Sequence, residues 1–357
     1  MKRLFLSGSV LALATLVAVA PLIQATKRQP STNHEEIAEP DRQLIPERTV
    51  DFGVNGHPLN PGTYSNMPLE QQLSLLRTLK LRTYRVNVNP SHPETFAKLS
   101  ELVDLARSEG IRILPVIVLP PKQYSNEDTA YDDAHAKVYR LAKQFDTRII
   151  VWELGNEYDL FCVMRDADGS SPGDYDPEKY AIVRGLIRGM RAAVDEASPA
   201  SQNIIQTSQH TPTSLDSGFL QKLIQDGLTY DITGYHYYSN GGQIPTGKGG
   251  RNALEVLHEL HKPIWITEFN KSASSRTVGP SANPQQQAIA LTEALNQITA
   301  RANTCDVIGA DVYELLDQPE LLTNPGVNPS QAEFGILTSH GDFTAASRAV
   351  QNFLRIY

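Results

Sequence analysis

Two short stretches hold the residues most able to do chemistry. Trp152-Glu153-Leu154-Gly155-Asn156-Glu157 passes from apolar to polar within six residues and ends on an Asn-Glu pair. Pro263-Ile264-Trp265-Ile266-Thr267-Glu268-Phe269 is an apolar, β-type run with a carboxylate near its end. Alternate residues of a strand share a face, so Ile264, Ile266 and Glu268 are expected to point the same way. Two carboxyl groups brought to one pocket can split a glycosidic bond, one protonating the leaving oxygen and the other attacking the anomeric carbon. A spacing of about 5–5.5 Å gives retention through a covalent intermediate, and about 6.5–9.5 Å leaves room for an inverting water. Taken singly, Glu157 reads equally as a surface-loop carboxylate and Glu268 as a structural ion-pair partner of Arg85.

The chemistry therefore depends on elements that bring distant stretches to one rim. Apolar runs rich in Val, Ile and Tyr alternate with amphipathic segments, which argues for repeated βα units and a parallel sheet. The runs predict strands at Val50–Asn55, Arg82–Val88, Ile111–Val118, Arg148–Leu154, Asn203–Thr207, Tyr230–Tyr235, Pro263–Phe269 and Asp306–Tyr313. Helices are predicted over Leu69–Lys80, Pro93–Ser108, Asp132–Phe145, Pro177–Ala197, Ser214–Gln225, Ala253–His261, Gln285–Ala302 and Thr344–Leu354. In the second, Phe96, Leu99, Leu102, Val103 and Ala106 recur at three- and four-residue steps, with Gly110 placed to end it. Eight such pairs close a (β/α)₈ TIM barrel, an α/β fold whose active sites sit at the carboxyl ends of the strands. No Gly-x-Gly-x-x-Gly turn follows the first strand, which disfavours the doubly wound nucleotide-binding alternative. Residues 159–176 form a long polar insertion on the functional face.

Composition narrows the classes further. The 357 residues carry 32 Lys and Arg against 40 Asp and Glu, a formal charge of −8, so no basic surface is available for nucleic acid. Residues 1–25, with Lys2, Arg3 and the apolar run from Val10 to Ala20, read as a secretory signal peptide. Residues 26–48, polar and holding Pro30, Pro40 and Pro46, read as a flexible linker, and 49–357 as a single domain. A secreted or periplasmic protein follows, with no stable membrane insertion once the signal is cleaved. The competing reading keeps the apolar segment as an uncleaved anchor.

The Asn156-Glu157 pair ending strand four, with Glu268 ending strand seven, resembles the clan A retaining glycoside hydrolases, the four-seven (β/α)₈ superfamily. The resemblance runs from about Val50 to Tyr357. It implies that Glu157 is the acid/base, Glu268 the nucleophile and Asn156 the ligand of the sugar 2-hydroxyl. Arg85, in Tyr84-Arg85-Val86-Asn87, matches the clan's Arg beside the nucleophile. His236 and Tyr238, after strand six, match its His-x-Tyr, whose Tyr hydroxyl bonds the nucleophile. Arg85 would then hold Glu268 ionised while Glu157, in a drier spot, keeps its proton. One departure stands out: where the clan carries a Trp near the end of strand eight, this chain has Asp311-Val312-Tyr313-Glu314, leaving Tyr313 as the aromatic floor. Trp152 and Trp265 alternate away from the glutamates of their own strands and read as packing residues. Trp152–Leu160 resembles the heparanase-like and arabinofuranosidase branches and Phe52–His57 the exopolysaccharide-trimming enzymes, so the family within the clan stays open.

Other residues are read with their plainer alternatives. Asn55 and His57, ending strand one, either line the sugar site or cap the loop, and Asn87, Gln209, His210 and Glu314 are weaker candidates of the same kind. Glu153 lies deeper than Glu157 and reads as a buried structural partner. The nine His form no metal-binding spacing and no Gly-x-Ser-x-Gly elbow exists, so neither a metal nor another cofactor is expected. Cys162 and Cys305 fall at opposite ends of the sheet, too far apart to pair. The expected partner is a carbohydrate substrate, bound by a monomer. A different class, a glycan-binding scaffold with a vestigial catalytic pair, is the alternative.

Overall fold

The computed structural model describes residues 49–211, 217–247, 250–271, 284–324 and 329–357. The expected signal peptide and linker lie outside the described residues, as do positions 214–216 of the fifth predicted helix. Eight parallel strands close a barrel in chain order: β1 (Asp51–Gly56), β2 (Thr83–Val88), β3 (Arg112–Ile117), β4 (Val151–Leu154), β5 (Gln202–Ser208), β6 (Ile232–Tyr238), β7 (Ile264–Asn270) and β8 (Val307–Val312), which returns to β1. Helices follow the strands: α1 (Thr63–Asn66), α2 (Leu69–Leu79), α3 (Phe96–Ser108), α4 (Glu127–Gln144), α5 (Tyr158–Cys162), α6 (Pro177–Ala197), α7 (Gly218–Gln225), α8 (Ala253–His258), α9 (Pro284–Arg301) and α10 (Ala345–Ile356). This is the (β/α)₈ barrel that the alternation predicts. None of the described helices is long and apolar enough to cross a membrane.

Local chemistry sets the helix ends. Asp176 accepts from the Glu178 and Lys179 amides and Pro177 occupies the first turn, so α6 starts where its sequence reads it. In α3 the residues of the predicted stripe, Phe96 to Ala106, are the buried ones. Two strands differ from expectation. β4 begins at Val151 rather than Arg148, because Arg148 reaches out to Ser100 and Asp104 and the chain before it turns on Phe145. β6 runs on to Tyr238, so His236 and Tyr238 are strand residues paired with Glu268 and Asn270. The 159–176 insertion is partly ordered as α5 and a 3₁₀ turn at Pro172–Asp174, with Val163 bridged to Tyr175.

Two apolar clusters show which way each strand faces. The larger one joins strands to helices and contains Ile264, Ile266 and Phe269. The smaller one is built only from strand residues, Leu114, Val151, Ile204, Ile232 and Trp265, and fills the barrel interior. The expectation that Ile264, Ile266 and Glu268 share a face is therefore overturned, as is the expectation that Trp265 faces away from Glu268. Trp265 points inward and Ile266 outward. Pairing with β6 steps from Tyr235↔Ile266 to His236↔Glu268, so β7 carries one extra residue, Thr267. This bulge reverses the alternation and turns Glu268 into the barrel. Asn55 Nδ2, reaching across from β1, donates to the Thr267 carbonyl at 3.0 Å and holds the bulge in place.

Cys162, in α5 past the end of β4, and Cys305, before β8, are buried free thiols.

Candidate active site

A buried guanidinium organises the site. Arg85, on the inner face of β2 and 2% exposed, donates from Nε and Nη2 to the two Glu153 oxygens at 2.6 and 2.8 Å. Its Nη1 reaches Glu268 Oε1 at 2.7 Å and Asn55 Oδ1 at 2.5 Å, and Nη2 reaches Asn156 Oδ1 at 2.9 Å. Burial opposes the Arg85 charge, but Glu153 and Glu268 outweigh it and hold the guanidinium protonated. The same contact keeps Glu153 below the usual carboxylate range despite its burial. Bidentate pairing satisfies most donors of the fork, which is what makes a charge tolerable here.

Glu268 is gripped from both sides. Tyr238 donates its hydroxyl to Oε2 at 2.5 Å, opposite the Arg85 contact on Oε1. Burial, then the Glu268 charge, push the Tyr238 phenol well above its ordinary value, so it stays a donor. Gln209, at the end of β5, accepts from the Tyr238 amide at 2.9 Å and fixes that residue's backbone.

Glu157 is held differently. Its side chain is 35% exposed, and Oε1 lies 3.3 Å from His236 Nδ1, which also lies 3.5 Å from Glu268 Oε2. Burial disfavours charge on Glu157, yet the hydrogen bond to His236 and the charge on that ring outweigh it, and the carboxyl sits below its ordinary range. Burial also disfavours charge on His236. The Glu268 carboxylate, with hydrogen bonds to Glu153 and Glu157, overcomes that, and its pKa rises to about 9 despite the nearby Arg85. The expectation that Glu157 keeps its own proton is not met: the hydrogen bond to His236 and the charge on that ring hold the Glu157 carboxyl below its ordinary range, while the surrounding carboxylates favour the charged imidazole.

Above these groups lies a 290 Å³ cavity at the carboxyl ends of the strands, at the small end of the ~300–1,000 Å³ typical of ligand sites. Glu157, Glu268, Asn156, Tyr238, Tyr313 and His57 all line it, as does Asn87 from β2. Asn55, Arg85 and His236 do not; all are buried beneath it, at 1–2% exposure, and act on the lining groups from below. His57 is backed by Glu314, whose Oε2 lies 3.2 Å from its Nε2 and accepts from the Tyr64 hydroxyl. His210 stands apart, next to Asp159. A second cavity, of 340 Å³, opens at the other end of the barrel among Arg77, Lys80, Arg82 and Tyr357, where no carboxylate pair converges.

Sequence reasoning missed Gln331 and Phe334, which complete the lining from the β8–α10 connection. Phe334 packs 5.5 Å from Tyr313 and 5.4 Å from Tyr238, ring centre to ring centre, making an aromatic wall where a Trp was expected. Its carbonyl accepts from Asn270 and Gln287, which pin the segment to β7 and α9. An aromatic in a Pro- and Gly-rich connection carries no spacing motif, so nothing in the sequence marked it.

Glu157, His236 and Glu268 each offer a ligand atom within 4.8 Å of the others, the one such grouping of metal-ligating side chains among the described residues. The donor set suits a cation poorly. Both Glu268 oxygens are already engaged by Arg85 and Tyr238, and an ion there would face the guanidinium 2.7 Å from Oε1.

No protein-family model and no curated protein sequence matches the chain. Solved structures do. A family 39 glycoside hydrolase from Bacteroides cellulosilyticus WH2 superposes with a TM-score of 0.60 at 16% identity over 86% of this chain, which spans 63% of that protein's length. A GH5_18 protein from Streptomyces cattleya, in complex with Manβ1-4GlcNAc, gives 0.61 at 17% identity, covering 86% of this chain and 80% of its own. The family 1 β-glucosidase from Thermotoga maritima gives 0.62 at 13% identity, covering 87% and 98%. At such identities the likeness establishes a shared fold.

Proposed function

We propose that the protein is an exported glycoside hydrolase that cleaves a β-linked polysaccharide or oligosaccharide with retention of configuration. The observation that carries this is the approach of a Glu157 and a Glu268 carboxyl oxygen to within 4.8 Å, with His236 Nδ1 3.3 Å from the one residue and 3.5 Å from the other. Such an approach fits the about 5–5.5 Å of a retaining pair better than the about 6.5–9.5 Å that leaves room for an inverting water. The roles implied by the resemblance to the four-seven clan agree with it.

In the first step the Glu268 carboxylate attacks the anomeric carbon as Glu157 gives a proton to the leaving oxygen; the alcohol departs and the sugar remains as an ester of Glu268. In the second, Glu157 takes a proton from a water that attacks the same carbon, and the ester bond breaks to release the hemiacetal and restore Glu268. Arg85 and Tyr238 fix the nucleophile by one hydrogen bond to each oxygen. The proton for the first step is within reach, since His236 Nδ1 is 3.3 Å from Glu157 Oε1. Asn156 is oriented by Arg85 for a sugar hydroxyl, and Tyr313 and Phe334 offer apolar faces to the ring. The scaffold alternative gains no support from a site in which each catalytic carboxylate keeps its partners.

The test is chemical rescue on aryl β-glycosides. Glu268→Ala should lose turnover, and azide should restore part of it as an α-glycosyl azide; Glu157→Ala with azide should give the β-azide. A Glu268→Ala variant that retains most activity refutes the assignment.

A further inference from the structure

β4 is only four residues long, and its last pairing, Ile117↔Leu154, ends before Asn156 and Glu157. Strand pairing therefore does not place the Glu157 carboxyl. Its backbone is also in an unfavourable region: Glu157 has φ 53° and ψ 38°, left-handed, two residues after Gly155 at φ 96°. A non-glycine residue persists there only when its surroundings over-determine it.

The next two side chains supply that constraint. Tyr158, 4% exposed, donates its hydroxyl to the Leu119 carbonyl at 2.8 Å and accepts from the Leu119 amide at 3.3 Å, past the end of β3. Its ring lies so close over Gly155 that a Cβ there would meet it at 2.3 Å. Asp159, with no exposure, reaches the other way. Its Oδ2 accepts from the Ser208 amide at 2.6 Å and the Thr207 hydroxyl at 3.2 Å, and Oδ1 from the Ser208 hydroxyl at 3.2 Å; His210 Nε2 stands 3.6 Å from Oδ2. A buried carboxylate is costly unless its hydrogen bonds are met, and here Thr207 and Ser208 meet them from the end of β5. Neither side chain lines the cavity.

We infer that Tyr158 and Asp159 are positioning residues for Glu157. Anchored to opposite neighbours of β4, they clamp the first turn after the acid and hold its carboxyl over the cavity from a left-handed backbone. The inference rests on the reading of Glu157 as acid/base.

The experiment compares phenyl with 2,4-dinitrophenyl β-glucosides, β-mannosides and β-galactosides, since only the poor phenolic leaving group needs a proton. Asp159→Asn keeps the shape and loses one acceptor; Tyr158→Phe keeps the ring and loses both hydrogen bonds. Each should lower kcat/KM about tenfold or more on the phenyl glycoside and less than about twofold on the dinitrophenyl one, a pattern that general loosening of the fold does not give. Equal losses on both substrates, or none, overturn the inference. Glu157→Ala without leaving-group dependence instead overturns the acid/base reading. If none of these glycosides is cleaved, or one variant does not fold, a crystal structure of the other decides. A Glu157 carboxyl unmoved beside His236 refutes the clamp, and a displaced one supports it.

Discussion

Replacing His236 by Asn tests where the catalytic proton is stored. His236 is 1% exposed and sits with Nδ1 3.3 Å from Glu157 and 3.5 Å from Glu268, and Nε2 3.7 Å from Glu153. Moving a histidine pKa from 6.5 to about 9 reflects about 3 kcal/mol of preference for the charged ring. Transfer of that proton to Glu157 leaves the proton count of the cluster unchanged and yields the acid the first step requires. Activity should therefore be lost at high pH as the cluster gives up this one proton, a property of the coupled groups and not of Glu157 alone. The basic limb of kcat/KM for the wild type is expected near pH 9. In His236→Asn the proton has no imidazole to rest on and only Glu157 can hold it. The limb should therefore move to lower pH. The assay is kcat/KM on a phenyl β-glycoside from pH 4 to 10, with circular dichroism to confirm the fold. A variant whose basic limb coincides with that of the wild type refutes the reasoning.

Three further outcomes follow from the same contacts. Arg85→Met strands Glu153 and Glu268 as buried carboxylates without their partner, and should cost about 3–5 kcal/mol of stability, read as a lower urea midpoint; an unchanged midpoint would show that the guanidinium does not hold them. Because the folded-state pKa of His236 lies above its unfolded value, its stabilisation is complete below pH 6.5 and is lost as pH rises through about 9. Urea midpoints at pH 6 and pH 9.5 should differ by more in the wild type than in His236→Asn. Tyr313→Ala removes one face of the aromatic wall, worth about 0.5–1.5 kcal/mol, so KM should rise by up to about tenfold with kcat less affected; unchanged KM would exclude the ring from substrate contact.

The parts of the site that could be read in advance share one property: they are local. Asn156-Glu157 and Glu268 stand out because polar groups end apolar runs, and alternation of runs and amphipathic segments specifies a barrel whose strand ends share a rim. Glu153 could be read as a structural partner from its depth along its own strand, and the contact with Arg85 shows which partner it meets. The face of Glu268 could not be read by counting twos, since Thr267 bulges only against β6 and β8, whose register lies outside the β7 sequence. Gln331 and Phe334 were invisible for a similar reason: the stretch that carries them is held at the cavity by the Phe334 and Gly335 carbonyls, which accept from Asn270 and Gln287, far from any motif.

Composition, periodicity and a few dipeptides by themselves determined the closed βα barrel and which carboxylates stand at its mouth, because hydrophobic period and chain order are properties of neighbours along the chain. Tertiary structure alone decided which way Glu268 faces and that Arg85, Asn55 and His236 lie beneath the cavity. Those outcomes depend on charges and donors about 3 Å apart in space but contributed by β1, β2, β4, β6 and β7, and Coulombic and hydrogen-bond energies at that range exceed anything a local sequence can encode.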